Sequence, residues 1–479
     1  MRFHLTTLVV TGLAIAGVAT HGPRAHAAEP ASSAASNAAA NAPALDPQLN
    51  IPFSKYKLNN GLEVILHQDN SLPLVAVNIW YHVGPVNEPQ GRSGFAHLFE
   101  HLMFEGSRHA GRQFDTLMES VGATNVNATT SWDRTNYFET VPSANLELAL
   151  WLESDRMGFM LDGITQERLD VQRGVVKNER RQSYENQPYG PSSLALYDAL
   201  FPLGHPYHGA VIGSMEDLDR ASLDDVKQFF RDYYAPSNAT LLLAGDFDDA
   251  QARALIERYF AGLPSNPRPM VQHPITPALP SKIDLKLNES VDLAKVTLAW
   301  LAPPAFSKTE PALELATTIL AGGKSSRLYQ ELVVKQRIAS DVSAAVDANA
   351  LCSEVEIGAQ VSTGVNPEKV EQAINRVLQD LAAKGPSVEE LQRAKKRQEV
   401  DLKSSLQMLN GHGGESGRAG ILQRLNHYLG DPGRLAAEWQ RTELVSVADV
   451  QQVVKDQLAQ EHRALMVTLP TPNALEKSQ

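Results

Sequence analysis

The sequence predicts a duplicated protein in which two copies of one domain each combine helices and strands. Two stretches of the first half, residues 74–80 and 222–232, recur in the second half as residues 293–300 and 446–456. The offset of roughly 220 residues is far too long for a solenoid repeat and indicates a duplicated domain. Prolines cluster between the two copies, in residues 264–280, and predict a stiff, extended linker.

Composition sets the broad class. The 479 residues are 43% hydrophobic and 20% charged, which is typical of a globular protein with two or three domains. The net charge of −12 argues against a nucleic-acid partner. The chain has one cysteine, Cys352, so it forms no intrachain disulfide.

The N-terminus has the pattern of an export signal. Arg2 precedes an apolar run over residues 5–19, which is short for a membrane span, and an A-x-A cleavage site ends at Ala27. We therefore predict a signal peptide over 1–27, with cleavage after Ala27, and a flexible leader over 28–48. No later apolar run is long enough to span a bilayer, so the mature protein is expected to be periplasmic or secreted, without a membrane span.

Local patterns predict the elements of the first copy. Residues 62–66 and 75–81 are rich in β-branched and aromatic side chains and predict strands. Residues 94–106 place apolar side chains at helical spacing. Further helices are predicted over 111–121, 146–160, 166–182, 192–200, 223–233 and 251–263, and strands over 125–140 and 239–245. The predicted domain bounds are 49–264 for a metal-binding domain, 265–285 for the linker, 286–470 for a homologous domain without metal and 471–479 for a tail.

The helix predicted over residues 94–106 carries the motif H-x-x-E-H at His97, Glu100 and His101. Residues three and four apart share a helix face, so both imidazoles can bind one zinc ion. The neighbouring carboxylate of Glu100 can accept a proton from a metal-bound water. The alternative is two surface histidines that share a face by accident, but the apolar flanks of this helix count against it.

The second copy lacks this motif. Residues 311–321 stand where the first copy has the metal helix, and they contain no histidine. The second copy is therefore predicted to have kept the helix and lost the metal.

Together these features resemble the pitrilysin/insulinase-type zinc peptidases, in the two-domain branch that includes the mitochondrial processing peptidases and bacterial relatives. The resemblance covers the chain after residue 50 and depends on residues 97–101, 175–179 and 205–207 and on the duplication. It implies an α+β fold in which each half is an antiparallel-rich sheet with helices packed on one side. It also implies that two such two-domain units enclose a peptide-digesting chamber.

The resemblance assigns a third zinc ligand and a mechanism. Glu179 matches the family's glutamate ligand, so His97, His101 and Glu179 would bind one Zn²⁺ per chain and leave a fourth position for water. Glu100 would be the catalytic base. Taken alone, Glu179 is better interpreted as a solvated helix carboxylate, and it is the motif that favours a ligand. Gln172 occupies a position at which the family often has a further acidic residue, and an amide supplies neither a base nor a counter-charge.

The resemblance also assigns a substrate strand directly after the metal helix. In the family this strand is a sheet edge that pairs with the substrate backbone, and residues 125–131 match it here. Main-chain pairing of this kind binds extended peptides with little regard to sequence. The predicted substrate-binding residues are Asn125, Val126, Asn127, Ala128 and Thr129. The alternative is an ordinary interior strand.

A second departure from the family concerns the partner. Family members supply an Arg and a Tyr seven residues apart that grip the substrate and stabilise the oxyanion, after a run resembling residues 326–332. The matching positions here are Val333 and Ser340. We therefore expect a metal-free homologous subunit that supplies the Arg/Tyr pair. The alternative is a homodimer in which another basic residue, such as Arg337, replaces it.

These observations favour an exported zinc metalloendopeptidase that hydrolyses unfolded peptides. Two other classes remain open at this stage. One is a non-catalytic assembly subunit that retains the peptidase fold, although such subunits have usually lost the metal motif. The other is a zinc-binding periplasmic protein, for which histidine-rich tracts are typical, and the 14 histidines here form none.

Overall fold

A computed structural model of the chain describes residues 46–270, 279 and 282–471. The predicted signal peptide, nearly all of the predicted leader, the middle of the predicted linker and most of the predicted tail lie outside these residues. The described chain forms two compact units, each with one sheet. The first unit contains the described residues up to 270 together with Glu399–Glu443, and the second unit contains the remainder.

The first unit is built on a six-stranded sheet. Its strands are β1 (Ser54–Lys57), β2 (Glu63–Gln68), β3 (Leu74–Tyr81), β4 (Thr124–Thr130), β5 (Thr135–Pro142) and β6 (Ala239–Gly245). They lie in the order β1-β2-β6-β3-β5-β4, so β4 is an edge strand. Neighbouring strands are antiparallel except β2 and β6, which are parallel. The strands predicted over 62–66, 75–81 and 239–245 are confirmed, and β1 was not predicted.

The described residues before the linker form eight α-helices. They are α1 (Phe95–Leu102), α2 (Phe114–Ser120), α3 (Leu146–Gly163), α4 (Gln166–Arg180), α5 (Gly190–Leu200), α6 (Met215–Arg220), α7 (Leu223–Tyr233) and α8 (Asp249–Phe260). Phe99 of α1, Leu150 of α3 and Phe229 of α7 belong to one hydrophobic core together with side chains of the sheet. Helix α4 continues into a π-helical segment, Arg181–Glu185, where the sequence predicted the helix to end and a loop to begin.

The second unit repeats this plan. Its strands are β7 (Ile283–Glu289), β8 (Lys295–Ala302), β9 (Ala339–Asp347), β10 (Ser353–Val361) and β11 (Ala464–Pro470), in the order β7-β11-β8-β10-β9. The later helices of the chain are α9 (Glu310–Ala321), α10 (Pro367–Lys384), α11 (Val388–Leu406), α12 (Gly417–Leu429), α13 (Leu435–Leu444) and α14 (Val447–Gln457). Strand β7 begins at Ile283, inside the predicted linker. None of the described helices combines the length and apolar composition that a bilayer crossing requires.

The duplication is visible in local chemistry as well as in strand order. Helices α7 and α14, which come from the repeated sequence stretch, both begin with a capping box. In α7 the Ser222 hydroxyl accepts from the N–H of Asp225 at 3.1 Å, and in α14 Ser446 accepts from Asp449 at 3.2 Å. In each case the aspartate carboxylate accepts a hydrogen bond from the N–H of the capping serine, so two otherwise unpaired donors are satisfied.

Residues Glu399–Glu443 differ from the predicted domain bounds, because they belong to the first unit and not to the unit formed by most of 286–470. Helix α12 of this segment lies over β3 and β6. The amide of Gln423 donates to the carbonyl oxygens of Asn78, at 2.8 Å, and Thr240, at 2.9 Å. The side chain of Asn78 donates to the carbonyl oxygen of Gly414 in the same segment, whereas Val77 and Ile79 belong to the hydrophobic core. Since side chains alternate along a strand, the segment lies on the face opposite that core. The predicted α+β class with two homologous sheets is confirmed, and the first sheet carries α12 on its second face in addition.

Candidate metal centre

The start of α1 is fixed by a glycine and a carboxylate. Gly94 has φ 87°, and a Cβ there would lie 2.6 Å from the carbonyl oxygen of Ile212, so only glycine fits. The carboxylate of Glu88 accepts from the N–H groups of Gly94, at 3.0 Å, and Ala96, at 2.8 Å. It therefore satisfies two N–H groups that have no partner within the helix, at the positive end of the helix that carries both histidines of the motif.

Helix α1 presents two different faces. Leu98, Phe99 and Leu102 are buried in the hydrophobic core. His97 and His101 lie one turn apart on another face, with ring centroids 4.9 Å apart. The predicted helix is confirmed, and its turn brings the two imidazoles side by side.

Helix α4 brings a carboxylate to these imidazoles. It packs against α1, and its start is capped by Thr165, whose side chain accepts from the N–H of Arg168. Near its end, the Glu179 carboxylate lies 3.1 Å from Nε2 of His101 and 3.7 Å from Nε2 of His97. One ligand atom from each of the three residues lies within 4.8 Å of the others. The structure thus brings together the two histidines and the glutamate that the sequence predicts as ligands.

Burial, hydrogen bonds and neighbouring charges act differently on the pKa of each of the three side chains. Burial lowers the pKa of His97 despite the nearby Glu100 and Glu179 carboxylates. Burial also opposes charge on His101, but the hydrogen bond to Glu179 and the charge of Glu100 raise its pKa overall. Burial acts to raise the pKa of Glu179, yet the hydrogen bond to His101 and the charge of His97 lower it overall. Glu179 is therefore ionised, and either a proton or a metal ion can balance it.

The donor set fits a zinc ion. Two imidazole nitrogens and one carboxylate oxygen are ligands that zinc accepts, and three protein ligands leave a position open for water, as in catalytic sites. Within the part of the chain that the structure describes, this is the one group of three or more His, Cys, Asp or Glu side chains arranged to hold a metal.

Glu100 lies beside the three candidate ligands. Its Oε2 accepts a hydrogen bond of 2.6 Å from the hydroxyl of Thr130, at the end of β4. The sequence analysis places Thr130 in the substrate strand, residues 125–131, but predicts no contact with Glu100. The contact joins α1 to an edge strand and depends on tertiary structure, which local spacing does not reveal.

A second contact that the sequence did not predict involves Gln172 on α4. Its side chain lies within hydrogen-bonding reach of His101, and its amide nitrogen donates to Glu105 Oε1 at 2.6 Å. Glu105 Oε2 in turn lies 2.8 Å from the guanidinium of Arg112. The carboxylate of Glu105 therefore lies next to Gln172, whose own side chain is an uncharged amide.

The predicted substrate strand lies at a sheet edge. Strand β4 pairs with β5 alone among the described strands, which excludes the alternative of an interior strand. Pairing is irregular between Thr124 and Asn127, and Asn125 has a positive φ of 54°. The predicted residues Asn125, Val126, Asn127, Ala128 and Thr129 all lie on this edge strand.

The two positions at which the family has Arg and Tyr lie in the second unit. Val333 is partly buried against the core of that unit, within the π-helical segment Tyr329–Lys335. Ser340 is exposed at the start of β9, with its hydroxyl 3.5 Å from Gln360. Neither side chain can supply a cation.

Two family profiles match the chain. Residues 63–197 match the profile described as insulinase (peptidase family M16), and residues 220–398 match the peptidase M16 inactive domain. The first match includes the three candidate ligands and Glu100, whereas the second includes α9, which lacks them.

Named relatives agree with these profiles. The zinc protease PqqE of Helicobacter pylori is 31% identical over 361 residues, which are 73% of this chain and 79% of that protein. The crystal structure of a protease from Helicobacter pylori superposes with a TM-score of 0.80 at 27% identity, over 88% of this chain and all of that one. The periplasmic protease PqqL of Escherichia coli gives a TM-score of 0.71 at 19% identity, over 91% of this chain and 49% of that chain, and shows the shared fold. The matching profiles and the relatives named zinc proteases agree on one peptidase family. The chain belongs to the insulinase-type M16 peptidases, the pitrilysin/insulinase-type family.

Proposed function

We propose that the chain is an exported zinc metalloendopeptidase that hydrolyses unfolded peptides. The observation that carries this proposal is the convergence of His97, His101 and Glu179, with Glu100 beside them. Relatives named zinc proteases support it. A protein that only stored zinc would have no use for the adjacent carboxylate, and an assembly subunit would have no use for the ligand set.

The proposed reaction divides the chemistry between zinc and Glu100. A zinc ion held by His97, His101 and Glu179 would supply Lewis acidity, which acidifies water and polarises the scissile carbonyl. Glu100 accepts a proton as the water oxygen bonds to the carbonyl carbon. It then delivers that proton to the leaving nitrogen as the C–N bond breaks, so one water is consumed and a carboxylate and an amine are released.

The substrate is proposed to be an extended peptide that adds to the edge of β4. Main-chain pairing there requires an unfolded segment, because a folded domain does not offer free backbone groups. Asn125–Thr129 would supply the pairing groups. A metal-free homologous subunit is proposed to complete the chamber and to supply the Arg/Tyr pair that Val333 and Ser340 lack.

Export is the part of the proposal that can be tested most simply. The periplasmic relative PqqL supports it, as does the signal pattern of residues 1–27. The mature protein should begin near Ala28 and be found in the periplasm or the medium. N-terminal sequencing checks this, and a mature protein that retains Met1 would contradict it.

The activity is tested with the mature chain and an unstructured fluorogenic peptide, supplied with and without candidate partner subunits. Glu100→Gln keeps the size of the side chain and removes the proton acceptor. Turnover should therefore fall by about 100-fold or more while zinc stays bound. Equal turnover in wild type and Glu100→Gln would reject the mechanism. Bound zinc without any hydrolysis would favour a zinc-binding protein, and absence of both would favour an assembly subunit.

A further inference from the structure

The end of β4 makes direct contact with the proposed catalytic base. Thr130 donates its hydroxyl hydrogen to Oε2 of Glu100 at 2.6 Å. A short bond from a neutral hydroxyl to a carboxylate is charge-assisted and stronger than a bond between neutral groups. It leaves Oε1 of Glu100 as the oxygen that is free to accept a proton.

The preceding strand residue, Thr129, is held by a network of hydrogen bonds. Arg134, which is 3% exposed, donates to the carbonyl oxygen of Thr129 at 2.7 Å and to its hydroxyl at 2.6 Å. Nε of Arg134 also donates to Glu415 at 2.9 Å, and Asn136 accepts from the Thr129 hydroxyl at 2.6 Å. The end of β4 is therefore fixed by Arg134 and Asn136, and Arg134 is in turn held by Glu415.

We propose that Thr130 is a positioning residue that holds Glu100 in its working conformation and sets the register between the base and a peptide on β4. This inference rests on the proposed function and adds a residue to it. A glutamate side chain has several rotatable bonds, and a fixed partner removes the conformational freedom that would take its oxygen away from the substrate. Among the described residues, the Thr130 hydroxyl donates to Glu100 and to none of the three candidate ligands. Thr130 therefore acts on the reaction through Glu100.

The register follows from the sequence of β4. Ala128 and Thr129, in the proposed peptide-pairing stretch, directly precede Thr130. One continuous strand segment thus carries both the peptide-pairing groups and the hydroxyl that holds the base. A peptide bound to this edge is placed at a fixed distance along the strand from Glu100, which favours cleavage at one position relative to the paired residues.

The test compares Thr130→Val, which keeps the shape and removes the hydroxyl, with Thr130→Ser, which restores it. Thr130→Val should lower kcat by roughly 10- to 100-fold with KM changed by no more than about twofold. Zinc content should stay at the wild-type level, and Thr130→Ser should recover most of the loss. Thr124→Val, at the exposed far end of β4, is the matched control and should behave as wild type.

Two further readouts separate positioning from general damage. In a Glu100→Gln background, Thr130→Val should cause no additional loss, because both changes act on the same group. A crystal structure of Thr130→Val should show Glu100 in more than one conformation while α1 and the ligand side chains keep their places.

The outcomes are distinguishable. Wild-type kcat in Thr130→Val, an equal loss in Thr124→Val, or a further loss on the Glu100→Gln background would overturn the inference while the peptidase itself stands. A wild-type chain that binds zinc and hydrolyses no peptide, with or without a partner, would overturn the proposed function and this inference together.

Discussion

Helices α1 and α9 follow the corresponding central strands of the two duplicated sheets and have opposite chemistry. Helix α1 is eight residues long and carries two histidines and Glu100 beside a third candidate ligand. Helix α9 is twelve residues long, contains no histidine and buries Glu310 and Glu314, each 2% exposed. The comparison shows that duplication preserved the packing role of the helix, whereas the candidate metal ligands lie in one copy.

One carboxylate from each unit makes the same contrast. In the first unit, the hydrogen bond to His101 and the charge of His97 overcome burial and lower the pKa of Glu179. In the second unit, burial and the neighbouring Glu356 and Asp347 carboxylates raise the pKa of Glu354 well above its ordinary value. The first arrangement keeps a carboxylate charged and suited to a cation, and the second drives one towards its neutral form.

The largest effect is expected from the ligand residues. His97→Ala, His101→Ala or Glu179→Ala removes one of three protein ligands, so hydrolysis should fall to the level of the assay blank, a loss of roughly 1000-fold or more. Peptide turnover measures this. Glu167→Ala, an exposed carboxylate at the start of the same helix as Glu179, is the matched control and should retain activity. Loss of activity in Glu167→Ala as well would mean that damage to α4 explains the result.

The next effect concerns the Arg/Tyr pair that the second unit lacks. An oxyanion donor is worth about 3 kcal/mol, or roughly 100-fold in rate, and Val333 and Ser340 cannot donate one. Adding a metal-free homologous subunit should therefore raise turnover of the lone chain by about that factor. Reconstitution from separately purified chains measures it.

Full turnover by the lone chain, unchanged by any partner, would reject the heterodimer. The homodimer alternative then applies, and Arg337→Ala should abolish that turnover. If Arg337→Ala leaves the lone chain fully active, another group in this chain stabilises the oxyanion.

A smaller effect is expected at Gln172. Because its side chain reaches His101 and donates to Glu105, Gln172→Ala should weaken zinc binding by roughly tenfold, within the usual range for a residue that orients a metal ligand. Competition with a chelator of known affinity measures this. Gln182, exposed beyond the end of α4, offers a control as Gln182→Ala. Unchanged zinc affinity in Gln172→Ala would show that His101 needs no support from this side.

The smallest effect is a pH dependence of stability in the second unit. A carboxyl whose pKa rises on folding contributes stability that is complete below its unfolded pKa, near 4.5, and is lost as the pH rises through its folded pKa. Glu354→Gln should remove this loss. Between pH 5 and pH 8, the free energy of unfolding of the variant should therefore fall by about 1 kcal/mol less than that of wild type. Urea denaturation at the two pH values measures this difference. An equal change in the free energy of unfolding between pH 5 and pH 8 in wild type and variant would contradict the role of Glu354.

The sequence predicted what depends on short spacing. His97, Glu100 and His101 lie within five residues of one helix, so helical periodicity alone places them together. Glu179 is on another helix and was assigned by family resemblance, and the structure places it at the two imidazoles. Whether β4 was an edge or an interior strand depended on strand order, which a single sequence does not give.

Long-range packing accounts for what was missed. Residues Glu399–Glu443 lie within the second copy in sequence, yet they pack on the first sheet through groups such as Gln423. Thr130 reaches the site only because β4 packs against α1, and Glu105 only because α1 packs against α4. These contacts join residues that are distant in sequence and have no periodic pattern to reveal them.

The most direct test of the account is the zinc content of the purified mature chain, measured by mass spectrometry together with that of Glu100→Gln and Glu179→Ala. We predict about one zinc per chain in wild type and in Glu100→Gln, since Glu100 is not a ligand, and loss of zinc in Glu179→Ala. Full zinc occupancy in Glu179→Ala would place the third ligand elsewhere. A wild-type chain that takes up no zinc would contradict the central claim.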